Sequence, residues 1–306
     1  MIKKTNMPIN PKGKLTGLSQ RLEMENVLIS NEKNFEEIKK KFQKDGLSGI
    51  HVLADFDKTL LKAFVDGEPV ASVLSILYNQ NYLTPDYGKA ARELHKKYHA
   101  IEIDLKIPRK ERQKAMQEWW EKHFDLLIKS RLNKKDIRAG VNSGKIIFRE
   151  GFLEFIDFLK NKDIPLVIIS STGLGKDSIE MCFERENRMY ENIYIISNSF
   201  KWDKNGYAAS VRNPIIHALN KDEATIKDFP KIFEKIKDRK NVMLLGDSID
   251  DIGMVAGFKY DNIIKIGFLN ENIEENLKNY KKVFDVLITN DSSLDFINYF
   301  LKEISK

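Results

Sequence analysis

Residues 52–61 read VLADFDKTLL, an apolar run that ends on two aspartates one residue apart, Asp55 and Asp57. The run has the length of a buried strand, and burial is costly for a carboxylate that has no partner. In sheets of parallel strands, ligands bind outside the carboxyl ends of the strands, so acids at such an end are candidate site residues. Aspartate also begins turns and helices readily, and from this stretch alone both interpretations stay open.

Apolar runs of strand length recur along the chain. They are IHVLADF (50–56), IPLVIISS (164–171), NIYIIS (192–197), NVMLLGD (241–247), NIIKIGF (262–268) and FDVLIT (284–289). Helical patterns lie between them, such as EGFLEFIDFLKNK (150–162), GKDSIEMCFEREN (175–187) and NENIEENLKNY (270–280). Continuous apolar strands separated by helices predict an α/β fold, a Rossmann-like doubly wound parallel sheet with helices on both faces.

One region breaks this alternation. Residues 62–148 have no convincing strand pattern, only helical ones: VASVLSILYNQN (70–81), DYGKAARELHKKYH (86–99), RKERQKAMQEWWEKHFDLLIKS (109–130) and KKDIRAGV (134–141). A helical insert directly after the first strand predicts a cap domain. The predicted organisation is a flexible N-terminus (1–16), a core (17–61 and 149–306) and a helical cap (62–148).

Composition predicts a soluble globular protein. Of 306 residues, 42% are hydrophobic and 31% are charged, and no window approaches the roughly 18 consecutive apolar residues that a membrane span needs. The first residues lack the apolar run of a secretory signal, and the single cysteine, Cys182, cannot form an internal disulfide. These features predict a cytoplasmic protein without a membrane partner.

The net charge of +6 raises the question of nucleic acid, because lysine and arginine supply most non-specific affinity for phosphates. The lysines alternate with acids, however, as in NEKNFEEIKKKFQKDG (31–46), which is typical of a solvated helix face. We therefore expect no nucleic-acid partner. A modest positive field would help to attract a small anionic substrate.

The acids occur with residues that fit phosphoryl transfer. A carboxylate such as Asp55 can form an aspartyl-phosphate, and a nearby acid such as Asp57 can transfer protons. Asp247 ends another apolar run, and a site with several carboxylates needs a cation to hold them together. Mg²⁺ prefers hard oxygen ligands such as Asp55 and Asp247, so the sequence predicts Mg²⁺ as a cofactor.

A phosphate also needs hydrogen-bond donors and a positive charge. The strand at 164–171 is followed by a glycine-rich turn that opens a helix, where a hydroxyl and free N–H groups would face an anion. Lys221 is a candidate charge clamp.

Taken in order, these segments resemble the four motifs of the haloacid dehalogenase superfamily. They are DFDKTL (55–60), Ser171 after an apolar strand, Lys221, and GDSIDD (246–251). The second acid, Asp57, points to the phosphatases of that superfamily, because its dehalogenases lack it.

A narrower resemblance covers nearly the whole chain, from about residue 34. The stretches that carry it are ADFDKTL (54–60), KKYHAIEID (96–104), MQEWWEKH (116–123), SSTGLG (170–175), IIHALNK (215–221), LLGDSIDDIGMV (244–255) and IIKIGFLNENIEENL (263–277). These are similar to the cytosolic 5'-nucleotidase III group, the pyrimidine 5'-nucleotidases, whose Rossmann-like core carries a helical cap after the first motif. The resemblance implies Mg²⁺-dependent hydrolysis of UMP and CMP to nucleoside and phosphate, and some relatives also transfer the phosphate to a nucleoside.

The resemblance implies a role for each matched core residue. Asp55 is the expected nucleophile and Asp57 the general acid/base. Asp55, the backbone carbonyl of Asp57, and Asp247 would hold Mg²⁺, with Asp251 assisting through water. The phosphate would be bound by a further set of residues: Ser171, Gly173 and Lys221.

In the cap, the resemblance assigns Glu102, Trp119 and Trp120 to the nucleoside. Glu102 matches an acid placed against it, and the two tryptophans match an aromatic pair that can stack on a base. Adjacent helix positions point in different directions, so we expect at most one tryptophan to face the substrate. From the residues alone, Glu102 also fits an ordinary surface acid.

Two alternatives stay open. The chain could be another phosphatase of the superfamily, acting on 7-methylguanosine monophosphate or a sugar phosphate, with the same Asp55 chemistry and a different cap. It could also be a basic nucleic-acid-binding protein that keeps the fold without catalysis. The main prediction is an enzyme with a small-molecule nucleotide substrate, and nothing argues against a monomer.

Overall fold

The computed structural model describes residues 26–70, 72–79, 82–104, 106–221, 229–256 and 259–306. The segment 1–16, which we expect to be flexible, lies outside these ranges. Within them the strands are β1 (Val27–Ile29), β2 (Ile50–Ala54), β3 (Phe64–Val65), β4 (Glu68–Pro69), β5 (Leu166–Ser170), β6 (Ile193–Ser197), β7 (Phe200–Trp202), β8 (Ala208–Val211), β9 (Asn241–Gly246), β10 (Asn262–Leu269) and β11 (Val286–Thr289). The α-helices are α1 (Glu32–Asp45), α2 (Val73–Asn79), α3 (Tyr87–Ile103), α4 (Arg109–Lys129), α5 (Lys134–Val141), α6 (Phe152–Asn161), α7 (Gly175–Arg185), α8 (Pro230–Ile236), α9 (Ile273–Tyr280) and α10 (Asp295–Ile304).

A seven-stranded sheet lies at the centre, in the order β1, β11, β10, β9, β2, β5, β6. The six apolar runs of the sequence form its parallel strands, which confirms the predicted α/β fold. Every residue of β2, β5, β9 and β11 is buried, as expected for parallel strands covered on both faces. The sequence analysis missed β1, which pairs antiparallel with β11, because a strand of three residues shows no periodicity.

Alternate residues of each strand feed two apolar layers. Val52 and Ala54 of β2 point into the larger cluster, which also includes residues of the helical insert. Leu53 points into the cluster on the opposite face. Because strand side chains alternate between faces, one apolar strand can hold both layers together.

The helical insert lies between β2 and β5 and contains the four predicted helices, α2 to α5. The prediction that residues 62–148 lack strands is wrong at one point, because β3 and β4 form a short antiparallel hairpin. Its turn is Asp66-Gly67, both with positive φ (54° and 79°), a dipeptide that favours tight hairpins. Two-residue strands are too short to show alternation. The bridge between Leu61 and Phe148 lies at the predicted limits of the insert, and we keep 62–148 as its proposed extent.

The register of the sheet places the ends of three neighbouring strands, β2, β5 and β9, close together. Ala54, the last residue of β2, pairs with Leu245 of β9 and with Ile168 of β5. The residues that follow these three strands therefore emerge side by side at one edge of the sheet. Across the described part of the chain, no helix has the length and apolar character needed to span a bilayer.

Candidate active site

Asp55 and Asp57 lie where the chain leaves the central strand β2. The backbone N–H of Asp55 donates to Leu245 O of β9 at 3.0 Å, so Asp55 still continues the sheet. The chain then turns over residues 57–60, with Lys58 in the left-handed region at φ 57°. Phe56 is buried between the two acids. The turn thus gives both carboxylates access to the same edge of the sheet.

Three carboxylates converge at this edge. Asp55, Asp247 and Asp251 can each offer an oxygen such that all three oxygens lie within 4.8 Å of one another. Asp251 is held by its own neighbours, because its Oδ2 accepts from the backbone N–H groups of Asp247 (3.1 Å) and Ser248 (2.9 Å). A Cβ on Gly246 would lie 2.6 Å from that of Asp251, so only glycine fits there.

Lys221 joins the cluster from a separate part of the chain. Its Nζ donates to Asp55 Oδ1 at 2.5 Å and to Asp251 Oδ1 at 2.7 Å, and the side chain is buried. Lys221 follows a 3-10 turn capped by His217 and Asn220. The contacts bring together three of the four motifs that the sequence places far apart.

Burial and mutual repulsion make these acids hard to ionise. Burial raises the pKa of Asp55 to about 6, although the charge of Lys221 acts against it. Burial, followed by repulsion from Asp55, raises the pKa of Asp57 to about 8, and the same two causes raise the pKa of Asp247 well above its usual value. A further positive charge would relieve this repulsion.

The pKa of Lys221 shifts in the direction that keeps it charged. Burial alone would lower it, but the carboxylates of Asp251 and Asp55 outweigh burial and raise it. The single ammonium of Lys221 lies among four carboxyl groups, those of Asp55, Asp57, Asp247 and Asp251, whose oxygens are the hard donors that a divalent cation prefers. The residues present therefore fit a divalent metal ion.

The loop after β5 contains the residues that the sequence analysis assigns to phosphate binding, apart from Lys221. Ser171 follows the strand directly and is half-buried, and Gly173 and Gly175 lead into α7. Gly175 has φ 66°, and a Cβ there would lie 2.2 Å from Asn198 O. In the described residues, Thr172 Oγ1 and Asp57 Oδ1 are buried without a well-aligned hydrogen-bond partner. The two side chains lie close enough for Thr172 to act on the carboxylate of Asp57, so the loop after β5 reaches the acids that follow β2.

The two tryptophans of α4 form part of an aromatic stack. Trp119 is buried, and its ring stacks on Tyr98 (6.1 Å between centroids, 7° between planes). Trp119 and Trp120 also stack on each other at 5.6 Å and 15°, and Trp120 continues the stack to Phe124. The rings stack although successive positions differ by about 100° around the helix. The expectation that at most one of the two tryptophans faces the substrate stays a prediction.

Trp120 links the insert to the loop after β5. A Cβ on Gly173 would lie 2.6 Å from Trp120 Cζ3 and 2.6 Å from Leu74 Cδ2. Trp120 and Leu74 both belong to the insert. Of the two tryptophans, Trp120 is therefore the one that contacts a predicted phosphate-binding residue, and glycine at 173 allows this close approach.

Gly173→Ala is expected to lower the free energy of unfolding by about 1–3 kcal/mol, because the added methyl group overpacks the contact between insert and core. Phosphatase activity should fall with it, since Leu74 and Trp120 or the loop must move. Urea unfolding and phosphate release would measure the two effects. Gly49→Ala is the matched control, because a Cβ there meets its nearest atom at 3.5 Å. Equal stability of both variants would contradict the prediction.

Glu102 lies near the end of α3 and contacts other residues of the insert. Its Oε2 lies 3.0 Å from His99 Nδ1, and its backbone carbonyl accepts from Arg112 at 3.0 Å. The convergence of Asp55, Asp247, Asp251 and Lys221 thus does not extend to Glu102. Its predicted contact with a nucleoside stays a prediction.

The fold and the strand-end acids define a class of protein. A HAD family hydrolase from Salmonella enterica serovar Typhi, 14% identical, superposes with a TM-score of 0.54 over 88% of this chain and 80% of that one. The chain therefore has the fold of the haloacid dehalogenase superfamily, as the sequence predicts.

The family is also clear. The family model for pyrimidine 5'-nucleotidase (UMPH-1) matches residues 58–305. The 7-methylguanosine phosphate-specific 5'-nucleotidase of Rattus norvegicus is 33% identical over 279 residues, which cover 91% of this chain and 92% of the relative. The chain thus belongs to the pyrimidine 5'-nucleotidase family and is a phosphoric monoester hydrolase.

A solved structure supports the same assignment. The crystal structure of cytosolic 5'-nucleotidase IIIB bound to cytidine superposes with a TM-score of 0.81 at 26% identity. The match covers 93% of this chain and 95% of that chain, so it includes the helical insert as well as the core.

Proposed function

We propose that this chain is a metal-dependent 5'-nucleotidase that hydrolyses nucleoside 5'-monophosphates through an aspartyl-phosphate on Asp55. The observation that carries the proposal is the contact of Lys221 with both Asp55 (2.5 Å) and Asp251 (2.7 Å), beside Asp57. A carboxylate nucleophile, a second acid and a charge clamp form the set that phosphoryl transfer needs. Membership of a nucleotidase family supports the substrate class.

We assign Mg²⁺ to the carboxylate cluster. Asp55, Asp247 and the backbone carbonyl of Asp57 would hold it, with Asp251 assisting through water. When bound, the ion would neutralise the clustered acids and polarise the phosphoryl oxygens. The three converging carboxylates and the raised pKa values of Asp55 and Asp247 support this assignment.

In the first half-reaction, an Asp55 oxygen attacks phosphorus and the bond from phosphorus to the ester oxygen O5′ breaks. The electron pair stays on O5′, which takes a proton from Asp57. Burial and the charge of Asp55 raise the pKa of Asp57, which supports this role because a raised pKa favours the protonated form that can donate. In the second half-reaction, ionised Asp57 takes a proton from water as that water attacks phosphorus, and the bond to Asp55 breaks.

The phosphate would be bound by Ser171, the backbone at Gly173, and Lys221. Lys221 is already placed on Asp55, so its charge lies where negative charge develops during transfer. The contact of Trp120 with the loop at Gly173 would bring an aromatic ring of the insert close to the phosphate site. Closure of the insert over the loop would exclude water from the site.

For the base, we propose pyrimidines, with UMP and CMP as substrates. The family model and the cytidine-bound structural relative support this choice. The aromatic stack that includes Trp119 and Trp120 offers a surface on which a base can stack, and Glu102 would contact the nucleoside.

A second candidate substrate is 7-methylguanosine 5'-monophosphate. The Rattus norvegicus relative is named as specific for 7-methylguanosine phosphate, and it matches most of this chain. A methylated guanine carries a positive charge, and aromatic rings such as Trp120 attract cations.

The test is phosphate release from UMP, CMP, 7-methylguanosine monophosphate and a sugar phosphate, each with Mg²⁺ and with EDTA. We expect Mg²⁺-dependent release from at least one nucleotide, and the ranking decides between the two candidates. Phosphate release from the sugar phosphate alone would rule out nucleotides as the substrates. A folded protein that releases no phosphate from any substrate would contradict the proposal and favour a binding role.

Three further expectations are kept as predictions. They are a cytoplasmic location, a monomer, and phosphate transfer to a nucleoside in competition with water. Product analysis with an added nucleoside acceptor would detect the transfer.

A further inference from the structure

Arg149 is a fully buried arginine at the point where the insert returns to the core. Its side chain has 0% exposure. The guanidinium is saturated with partners from distant parts of the chain. Its contacts are Thr59 O (2.7 Å), Lys58 O (2.5 Å), Ser292 O (2.7 Å), Asn270 Oδ1 (2.9 Å) and Asp291 Oδ1 (2.9 Å).

Two of these contacts fix the turn that begins with Asp57. The carbonyls of Lys58 and Thr59 are the next two along the chain, and both accept from Arg149. Lys58 has φ 57°, which is unfavourable for a residue with a side chain and needs support from its surroundings. Lys58 O also accepts from Asn270 Nδ2 at 3.0 Å. The direction of the Asp57 backbone therefore depends on these donors.

The partner of Arg149 ties the same turn to the insert. Asp291 accepts from the backbone N–H groups of Ala63 (2.8 Å) and Phe64 (3.0 Å), at the start of the insert. Arg149 itself lies in the segment that returns from the insert to the core, and its backbone N–H donates to Leu60 O at 3.0 Å. One buried ion pair thus holds both chain crossings between core and insert.

Asp55 is held in a different way. Its backbone N–H bonds to β9 and its carboxylate bonds to Lys221. These contacts involve neither Arg149 nor Asp291. Loss of Arg149 should therefore displace Asp57 and leave the nucleophile in place.

We propose that Arg149 is a positioning residue that orients Asp57 for proton transfer, and that it couples this orientation to the two chain segments that connect the insert to the core. The inference rests on the proposed function, because it assumes that Asp57 protonates the leaving group. The proposal predicts that substitution of Arg149 slows the reaction most for substrates whose leaving group needs a proton.

The test compares two substrates in Arg149→Met and Arg149→Lys. A nucleotide releases a basic alkoxide and needs the acid, whereas p-nitrophenyl phosphate releases a weakly basic phenolate and does not. The single-turnover rate with the nucleotide should fall about 100-fold, and the burst of nitrophenol should change by less than about threefold. Arg149→Lys should recover only part of the loss, because one ammonium cannot replace the planar fork.

Two further variants make the test robust. Arg138→Met is the control, because Arg138 lies on α5 of the insert and pairs with an exposed Glu184; both rates should stay at the wild-type values. Asn270→Ala removes the second donor to Lys58 O without opening a large cavity. If Arg149→Met does not fold, Asn270→Ala is judged by the same comparison of the two substrates. It should slow the nucleotide reaction selectively.

The outcomes separate this inference from the proposed function. Wild-type protein that releases no phosphate from any nucleotide would refute the proposed function. The positioning role alone would be overturned if the wild-type protein is active and the Arg149 variants lose activity equally on both substrates or on neither. The Asn270 variant decides in the same way where Arg149→Met does not fold. A selective loss with the nucleotide would support it.

Discussion

Asp55→Asn is expected to lower kcat for nucleoside monophosphates by about 10⁴-fold or more, the size of effect seen when a covalent nucleophile is removed. An amide keeps nearly the same shape but cannot attack phosphorus, so no aspartyl-phosphate forms. Asp55 directly follows the central strand β2, and Lys221 lies 2.5 Å from its carboxylate. Steady-state phosphate release with Mg²⁺ would measure the loss.

The variant should fold at least as well as the wild type. Burial raises the pKa of Asp55 to about 6 despite the charge of Lys221, which means that the ionised group is poorly accommodated without a further cation. Asparagine removes that charge and can still accept from Lys221. Asp163→Asn is the control, since Asp163 is 91% exposed. Residual activity of Asp55→Asn within tenfold of the wild type would show that another group is the nucleophile.

Lys221→Met should have the second large effect. It removes the ammonium that pairs with Asp55 and Asp251 and leaves those buried carboxylates without their partner. Breaking a buried pair in this way costs about 3–5 kcal/mol, so the melting temperature in EDTA should fall. Added Mg²⁺ should recover part of the loss. The value of kcat/KM should fall about 10³-fold, because Lys221 also neutralises the transferring phosphate.

Lys39→Met separates a local effect from the general cost of losing a buried lysine. Lys39 is 8% exposed against 7% for Lys221, and it pairs with Glu303 at 3.0 Å, away from the site. We expect some loss of stability and unchanged kcat/KM. If Lys221→Met kept its activity, or if Mg²⁺ did not raise its melting temperature, the role given to Lys221 would be wrong.

Most of the fold could be predicted because its strands are long and continuously apolar. The six parallel strands and the four helices of the insert follow from periodicity and length. The edge strand β1 and the hairpin of β3 and β4 could not be read by periodicity, since their strands have two or three residues each. The Asp66-Gly67 turn was the signal that could have revealed the hairpin.

The sequence identified those site residues that lie in a short motif or directly after a strand. Asp55, Asp247, Asp251 and Lys221 converge, and each is identified by a short motif or by its place after a strand. Their catalytic and metal-binding roles remain predictions.

Arg149 was missed because its partners are up to 143 residues away in sequence, and no local pattern marks a buried arginine. The stacking of Trp119 on Trp120 was also missed, since it depends on side-chain direction and not on spacing.

The central claim is that Asp55 becomes phosphorylated. The most direct measurement is rapid acid quench of the protein mixed with its best nucleotide substrate, followed by mass spectrometry of the peptide that contains residues 52–61. We expect the mass of one added phosphoryl group on that peptide, localised to Asp55, and its absence in Asp55→Asn. Turnover without any phosphorylated peptide, or with the phosphoryl group on another residue, would contradict the account.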